Sequence, residues 1–223
     1  MNFGQKVLSY YNTLQTPVGL PADVEILYPF DQPDVIRIMQ EFYGQYYASD
    51  KRRIFLIGIN PGRLGGGATG IPFTDPVRLH QVLGINTTLE PRQELSSKFI
   101  YQMIEAFGGA LRFYDHFYFT SVSPVGFVKD GKNLNYYDIA ALERALEDYI
   151  VEEMRKQVAF GAHEIAFSLG KGQNIAYLKK LNKKCKFFKE IIPLPHPRWA
   201  MQYRLKQLDT IIDDYVTTLS SCL

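Results

Sequence analysis

The sequence predicts an α/β fold built on a mainly parallel sheet, and three observations carry that reading. Short β-branched or aromatic runs alternate with longer stretches of helical periodicity. The runs are apolar at nearly every position, as strands buried on both faces are. The residues with chemical potential fall just after the runs, at the carboxyl edge, where an open sheet of this kind gathers its functional groups.

In chain order, the part through Tyr47 reads as two amphipathic helices around an extended segment at 24–28, packed on one face of the sheet. Strands are expected at 53–58, 117–122, 164–169 and 187–192. Between and after them lie helical stretches at 97–107, with Phe99, Ile100, Met103, Ile104 and Phe107 on one face, and at 137–160, rich in Ala, Leu and Glu. Further helices are expected at 176–181 and 203–219.

A chain of 223 residues, 46% of them hydrophobic, is long enough for a full core and short enough for a single domain over 1–223. It has no internal repeat, low-complexity tract or linker. The start lacks a cationic region followed by an apolar stretch, and no run is long enough to span a bilayer. A soluble, cytoplasmic protein with no membrane partner is expected.

Cys185 and Cys222 are the only cysteines and form no Cys-x-x-Cys pair, so a thiolate zinc site, an iron–sulfur cluster and a disulfide framework lack ligands. No metal and no cofactor are expected. The net charge of +2 does not by itself announce a polyanion partner. Its distribution is uneven, because ten cations from Lys171 to Lys206 are opposed only by Glu190. A solvated helix and turn explains that cluster as well as a polyanion does.

Gly58-Ile59-Asn60-Pro61-Gly62 follows the strongest strand and continues through a glycine-rich stretch to Phe73. Such glycine density lets backbone approach a ligand closely. The stretch lacks the Lys-Ser/Thr ending of a P-loop and fails the dinucleotide pattern, leaving a phosphate-binding loop or a tight turn as readings. Asn60, fixed between a strand end and Pro61, can both donate and accept, and so can hold a water. Phe73 is either a core anchor or a platform for a planar ring.

Late in the chain, Pro193-Leu194-Pro195-His196-Pro197-Arg198 sets a histidine just past the last strand, on a backbone restricted by prolines. It is expected beside the Asn60 loop, whereas His80, His116 and His163 read as structural. Arg198, Trp199, Met201 and Arg204 form a mixture suited to a nucleic-acid groove or to covering the core.

Taken together, Gly58 to Gly62, Thr69-Gly70-Ile71-Pro72-Phe73 and His196-Pro197 resemble the uracil-DNA glycosylase superfamily, closest to its single-strand-selective monofunctional (SMUG-like) branch. Lys98-Phe99, Ser121-Val122-Ser123-Pro124 and Gly131-Lys132-Asn133-Leu134 extend the similarity, which runs from the N-terminal extended segment through His196. The resemblance implies a three-layer α/β/α sandwich around a short, mainly parallel four-stranded sheet. It also implies a monofunctional DNA glycosylase that hydrolyses the N-glycosidic bond of uracil or a related damaged base, as a monomer acting on DNA.

By resemblance, Asn60 orients the attacking water and His196 hydrogen-bonds the departing uracil anion, while Gly58, Ile59, Pro61, Gly62, Phe73 and Ser121 hold the base. Asp75 is the nearest carboxylate able to help as a base or electrostatic partner, or else an N-cap before Pro76. Arg198, Trp199, Met201 and Arg204 are the DNA-facing candidates. Two departures stand out: Ser121 replaces the branch's usual Asn, and Arg198-Trp199-Ala200 replaces Ser-Pro-Arg after His-Pro. Two rivals remain open at this point: a non-catalytic binder of damaged or single-stranded DNA, and an enzyme acting on a small nucleotide.

Overall fold

The computed structural model describes residues 1–223. Its strands are β1 (Glu25–Leu27), β2 (Arg53–Gly58), β3 (Phe117–Ser121), β4 (Gly126–Lys129), β5 (Lys132–Leu134), β6 (Ala162–Leu169) and β7 (Glu190–Leu194). Its helices are α1 (Phe3–Thr13), α2 (Pro33–Tyr46), α3 (Gly66–Thr69), α4 (Pro76–Gln81), α5 (Leu95–Phe107), α6 (Ala110–His116), α7 (Ala140–Val158), α8 (Gln173–Cys185), α9 (Pro197–Tyr203) and α10 (Leu208–Ser220).

Four strands pair in the order β3-β2-β6-β7, every neighbour parallel. Every residue of β2 and β3 is buried, which is why these segments read as unbroken apolar runs. On one face Phe55 and Tyr118 pack with Phe3 of α1, Tyr118 also meets Phe160, just past α7, and Phe55 meets Phe188 beyond α8. On the other, Phe117 meets Phe107 of α5 and Phe113 of α6. Helices thus cover both faces, giving the α/β/α layering.

The sheet's two ends differ. At the amino edge the guanidinium of Arg53, fully buried, donates to the carbonyls of Tyr114 (2.9 Å) and Lys51 (2.6 Å) and to Ser49 Oγ (2.8 Å). Phe3 and Tyr47 lie against its faces. This edge is closed by a satisfied buried cation. The carboxyl edge is left for the loops.

Several boundaries depart from the sequence reading. Residues 187–189 stay out of the last strand because the Asn182 side chain holds both the N–H and the C=O of Phe188 at 2.8 Å. Strand β7 begins after them and tolerates Pro193 because it is an edge strand. The helix expected at 203–219 begins at Leu208 as α10, after a 3₁₀ turn at Leu205–Gln207, and the residues before it form a separate helix, α9, that the sequence reading did not include.

A second sheet, antiparallel β1-β4-β5, was not foreseen beyond the extended segment around β1. Its β4–β5 hairpin turns on Asp130 and Gly131, both at positive φ (51° and 68°), a two-residue turn that Asp-Gly favours. This small sheet lies over the loop that follows β2. A Cβ on Gly126 would collide with the Pro61 carbonyl oxygen and stand 2.9 Å from Leu27 Cδ1.

Gly126→Ala is therefore expected to lower stability by about 1–3 kcal/mol, the usual cost of overpacking. A thermal melt checks this: a midpoint equal to wild type means the hairpin does not press on the loop as described.

Candidate active site

A cleft of about 290 Å³ opens at the carboxyl edge of the four-stranded sheet. It lies where chain order reverses between β2 and β6, the crevice in which open parallel sheets bind ligands. Its size suits one flat heterocycle rather than an extended cofactor. Ile59, Asn60, Pro61 and Gly62 enter it from the end of β2, Ser121 from the end of β3, Phe73 from the segment after α3, and His196 from the end of β7. Residues distant in sequence meet here as expected.

Asn60 is clamped by the small sheet. Its Nδ2 donates to the Leu134 carbonyl at 3.1 Å, and its Oδ1 accepts the Tyr136 N–H at 3.0 Å. Because one partner only accepts and the other only donates, the carboxamide has a single orientation. One N–H and one lone pair are left over. The backbone N–H groups of Ile59 and Asn60 make no hydrogen bond within the protein.

His196 is the N-cap of α9, where its Nδ1 accepts the Arg198 N–H at 3.1 Å. An accepting Nδ1 places the ring proton on Nε2. Burial, with the Arg198 cation nearby, pulls the imidazole down from 6.5 to about 4. It is consequently neutral at physiological pH and a donor through Nε2.

Phe73 is one of three non-glycine residues at positive φ, at 56°. For an aromatic residue that backbone is strained by about 1–3 kcal/mol, and such strain gathers at functional sites. Its ring lies on Phe119 and over Gly58, where a Cβ would meet the ring at 2.6 Å. Gly58 thus makes room for the aromatic floor of the cleft. Ser121, buried at the cleft wall, has a hydroxyl with no hydrogen-bond partner in the protein.

Glu94 joins this wall without a local sequence signal to announce it. Burial, then the neighbouring Asp75, push its carboxyl up from 4.5 to about 7, with Arg198 opposing. Side chains on Gly62 and Gly65 would run into the Glu94 carboxyl oxygens. The space above these glycines is filled from within, so the glycine run is a packed turn and not a phosphate cradle. Asn135 was equally silent in sequence, and Asn133, quoted only as part of the Gly131–Leu134 similarity, had no role assigned; the hairpin and the residues after it bring both to the cleft.

Two expectations are corrected. Asp75 does not reach the cleft: it is fully buried as the N-cap of α4. Its Oδ1 accepts the Arg78 N–H, and its Oδ2 accepts the Glu94 N–H at 2.8 Å and the Arg78 guanidinium at 3.2 Å. With its lone pairs so engaged it has the capping role. Met201 is buried in the core under α9 and offers DNA nothing. Arg198 and Trp199 do line the cleft, and Arg204 stacks on the Trp199 ring at 4.8 Å. No group of three or more His, Cys, Asp or Glu side chains is placed to hold a metal ion.

Comparison with known proteins adds to this geometry. The profile of the Uracil DNA glycosylase superfamily matches residues 45–219. The crystal structure of wild-type Pedobacter heparinus SMUG2 is similar to this chain at 41% identity and a TM-score of 0.95, covering 100% of this chain and 98% of that one. No curated protein matches it.

The Glu94 carboxyl makes stability depend on pH with a definite sign. The folded chain holds its proton more tightly than the unfolded chain, so its contribution is full below 4.5 and is lost as pH rises through about 7. Glu94→Gln carries no such ionisation. Melting midpoints of the two proteins should draw apart between pH 5 and pH 8, with the variant gaining on wild type; parallel curves would show that Glu94 ionises freely.

Proposed function

The chain belongs to the uracil DNA glycosylase superfamily, and from that premise we propose that it excises uracil, or a closely related damaged pyrimidine, from DNA and leaves an abasic site. It is a SMUG-like glycosylase that hydrolyses N-glycosidic bonds. The observation that carries the narrower reading is the convergence of a clamped Asn60 and a neutral His196 on one cleft floored by Phe73.

A base stacked in duplex DNA is out of reach, so the nucleotide is flipped or presented on a single strand, and its ring lies on Phe73. As the bond from C1′ to N1 lengthens, its electron pair moves onto uracil. Catalysis then consists mainly of donors placed for the charge growing at O2. His196 Nε2–H and the unpaired N–H groups of Ile59 and Asn60 are those donors in this reading. A neutral imidazole stabilises the anion by hydrogen bonding and need not transfer its proton.

Asn60 cannot serve as a strong base, because an amide does not titrate usefully. Its remaining lone pair accepts from a water and aims it at the sugar carbon, a gain in positioning; the water oxygen bonds C1′ once N1 has departed, and its surplus proton passes to bulk water, from which the uracil anion is protonated. The reaction this permits is largely dissociative. Ser121 meets the base edge with one rotatable hydroxyl where a fixed amide would offer a donor and an acceptor, so discrimination among pyrimidines is looser. The protein acts in this reading as a monomer without metal or cofactor.

Incubation with single- and double-stranded oligonucleotides carrying uracil, hydroxymethyluracil, xanthine or hypoxanthine, followed by alkali, reads the activity directly. Uracil should give abasic product, and Asn60→Ala or His196→Ala should slow single-turnover release by about 10²-fold or more while melting near wild type. Oligonucleotides retained with every base still attached would end this reading.

A further inference from the structure

A second hollow, of about 370 Å³, opens off the cleft and shares Glu94, Asn133 and Arg198 with it. Beyond them it is bounded by Arg63 and Lys132. Its three cations come from three elements: Arg63 from the loop after β2, Lys132 from the start of β5, and Arg198 from α9. Asn133 fixes the first two on one rim, because its Oδ1 accepts the Arg63 N–H at 3.0 Å.

None of the three is ion-paired, and their side-chain donors make no hydrogen bond with the protein. Lys129, on the other strand of the same hairpin, is different: it pairs with Asp23 at 2.6 Å. The three free cations therefore stand out against a neighbour whose charge is already answered. Glu94 is the only acid of the hollow, and near neutrality its raised pKa leaves it only partly charged. The hollow adjoins the cleft at Glu94, Asn133 and Arg198, next to where a base held in the cleft joins its phosphodiesters.

Resting on the glycosylase reading, we propose that this hollow seats a backbone phosphodiester flanking the flipped nucleotide, held by Arg63, Lys132 and Arg198. The strand then leaves the cleft across the β4–β5 hairpin on one flank of the extruded base. Backbone contacts of this kind set register on the strand and carry no sequence preference.

The test uses the double variant Arg63→Ala/Lys132→Ala, with Lys129→Ala as a control that removes a cation from the same hairpin and Arg63→Lys/Lys132→Arg as the charge-preserving pair. Binding of a uracil-containing single strand is followed by fluorescence anisotropy across a salt series. Losing that one phosphate contact should flatten the slope of log Kd on log salt by up to roughly 0.7, the contribution of each phosphate neutralised on a single strand. KM should rise more than kcat falls, the charge-preserving pair should recover binding, and the control should behave as wild type.

Strands that extend only 5′ or only 3′ of the uracil locate the contact: the double variant should bind one of them less tightly and the other as wild type does. An unchanged slope, equal losses on both one-sided strands, or the same loss in Lys129→Ala would each overturn the assignment. The two readings fail separately. Abasic product with unaltered binding by the double variant removes the phosphate seat alone, whereas salt-sensitive binding without abasic product removes the glycosylase reading alone.

Discussion

The Asn60 carboxamide joins the two sheets of this protein. It sits at the end of a strand in the parallel sheet, yet both of its hydrogen bonds go to the backbone around β5 of the antiparallel one. Gly126 allows β4 to come against Pro61 one residue further on, and the glycines after it are tightly packed by Glu94, Leu27 and the chain itself. The amide's direction is thus set by backbone on both sides, which is stiffer than setting it with another side chain. The rest of the cleft is arranged around that fixed group.

Electrostatics within the cleft follow from a small number of backbone choices. Starting α9 at His196 spends one imidazole nitrogen on a helix N–H, and this selects the tautomer as well as the cap. Starting α4 at Asp75 places a carboxylate behind the wall, where it accepts the Glu94 N–H and helps to raise the Glu94 pKa. One cap yields a neutral donor and the other a reluctant acid. Both outcomes come from meeting the unsatisfied N–H groups of short helices.

Much of this was legible in the sequence where the signal is local. The unbroken apolar run of β2, the fixed setting of Asn60 before Pro61, and the proline-flanked His196 all point to the carboxyl edge without knowledge of tertiary contacts. What stayed hidden is made by distant segments. The β4–β5 hairpin carries an Asp-Gly turn that could have been read, but its docking on the Asn60 loop has no sequence signature. Glu94 looks like any polar residue before a helix until the glycines of another loop are seen to close over it. For Asp75 and Met201 the sequence left a chemical and a structural role open, and burial selects the structural one in both cases.

Asn60, His196 and Phe73 are each locked before any substrate arrives, by hydrogen bonds to main chain or by packing against neighbouring rings. Little rotamer freedom remains to be frozen on association, and that entropic charge on affinity is correspondingly small. In the reading proposed above, the deformation needed for recognition of a duplex falls on the nucleic acid, whose base must unstack and swing outward. The enzyme behaves as a rigid die against which a pliant strand is shaped, so damage or mispairing that already loosens a base lowers the work of engaging it.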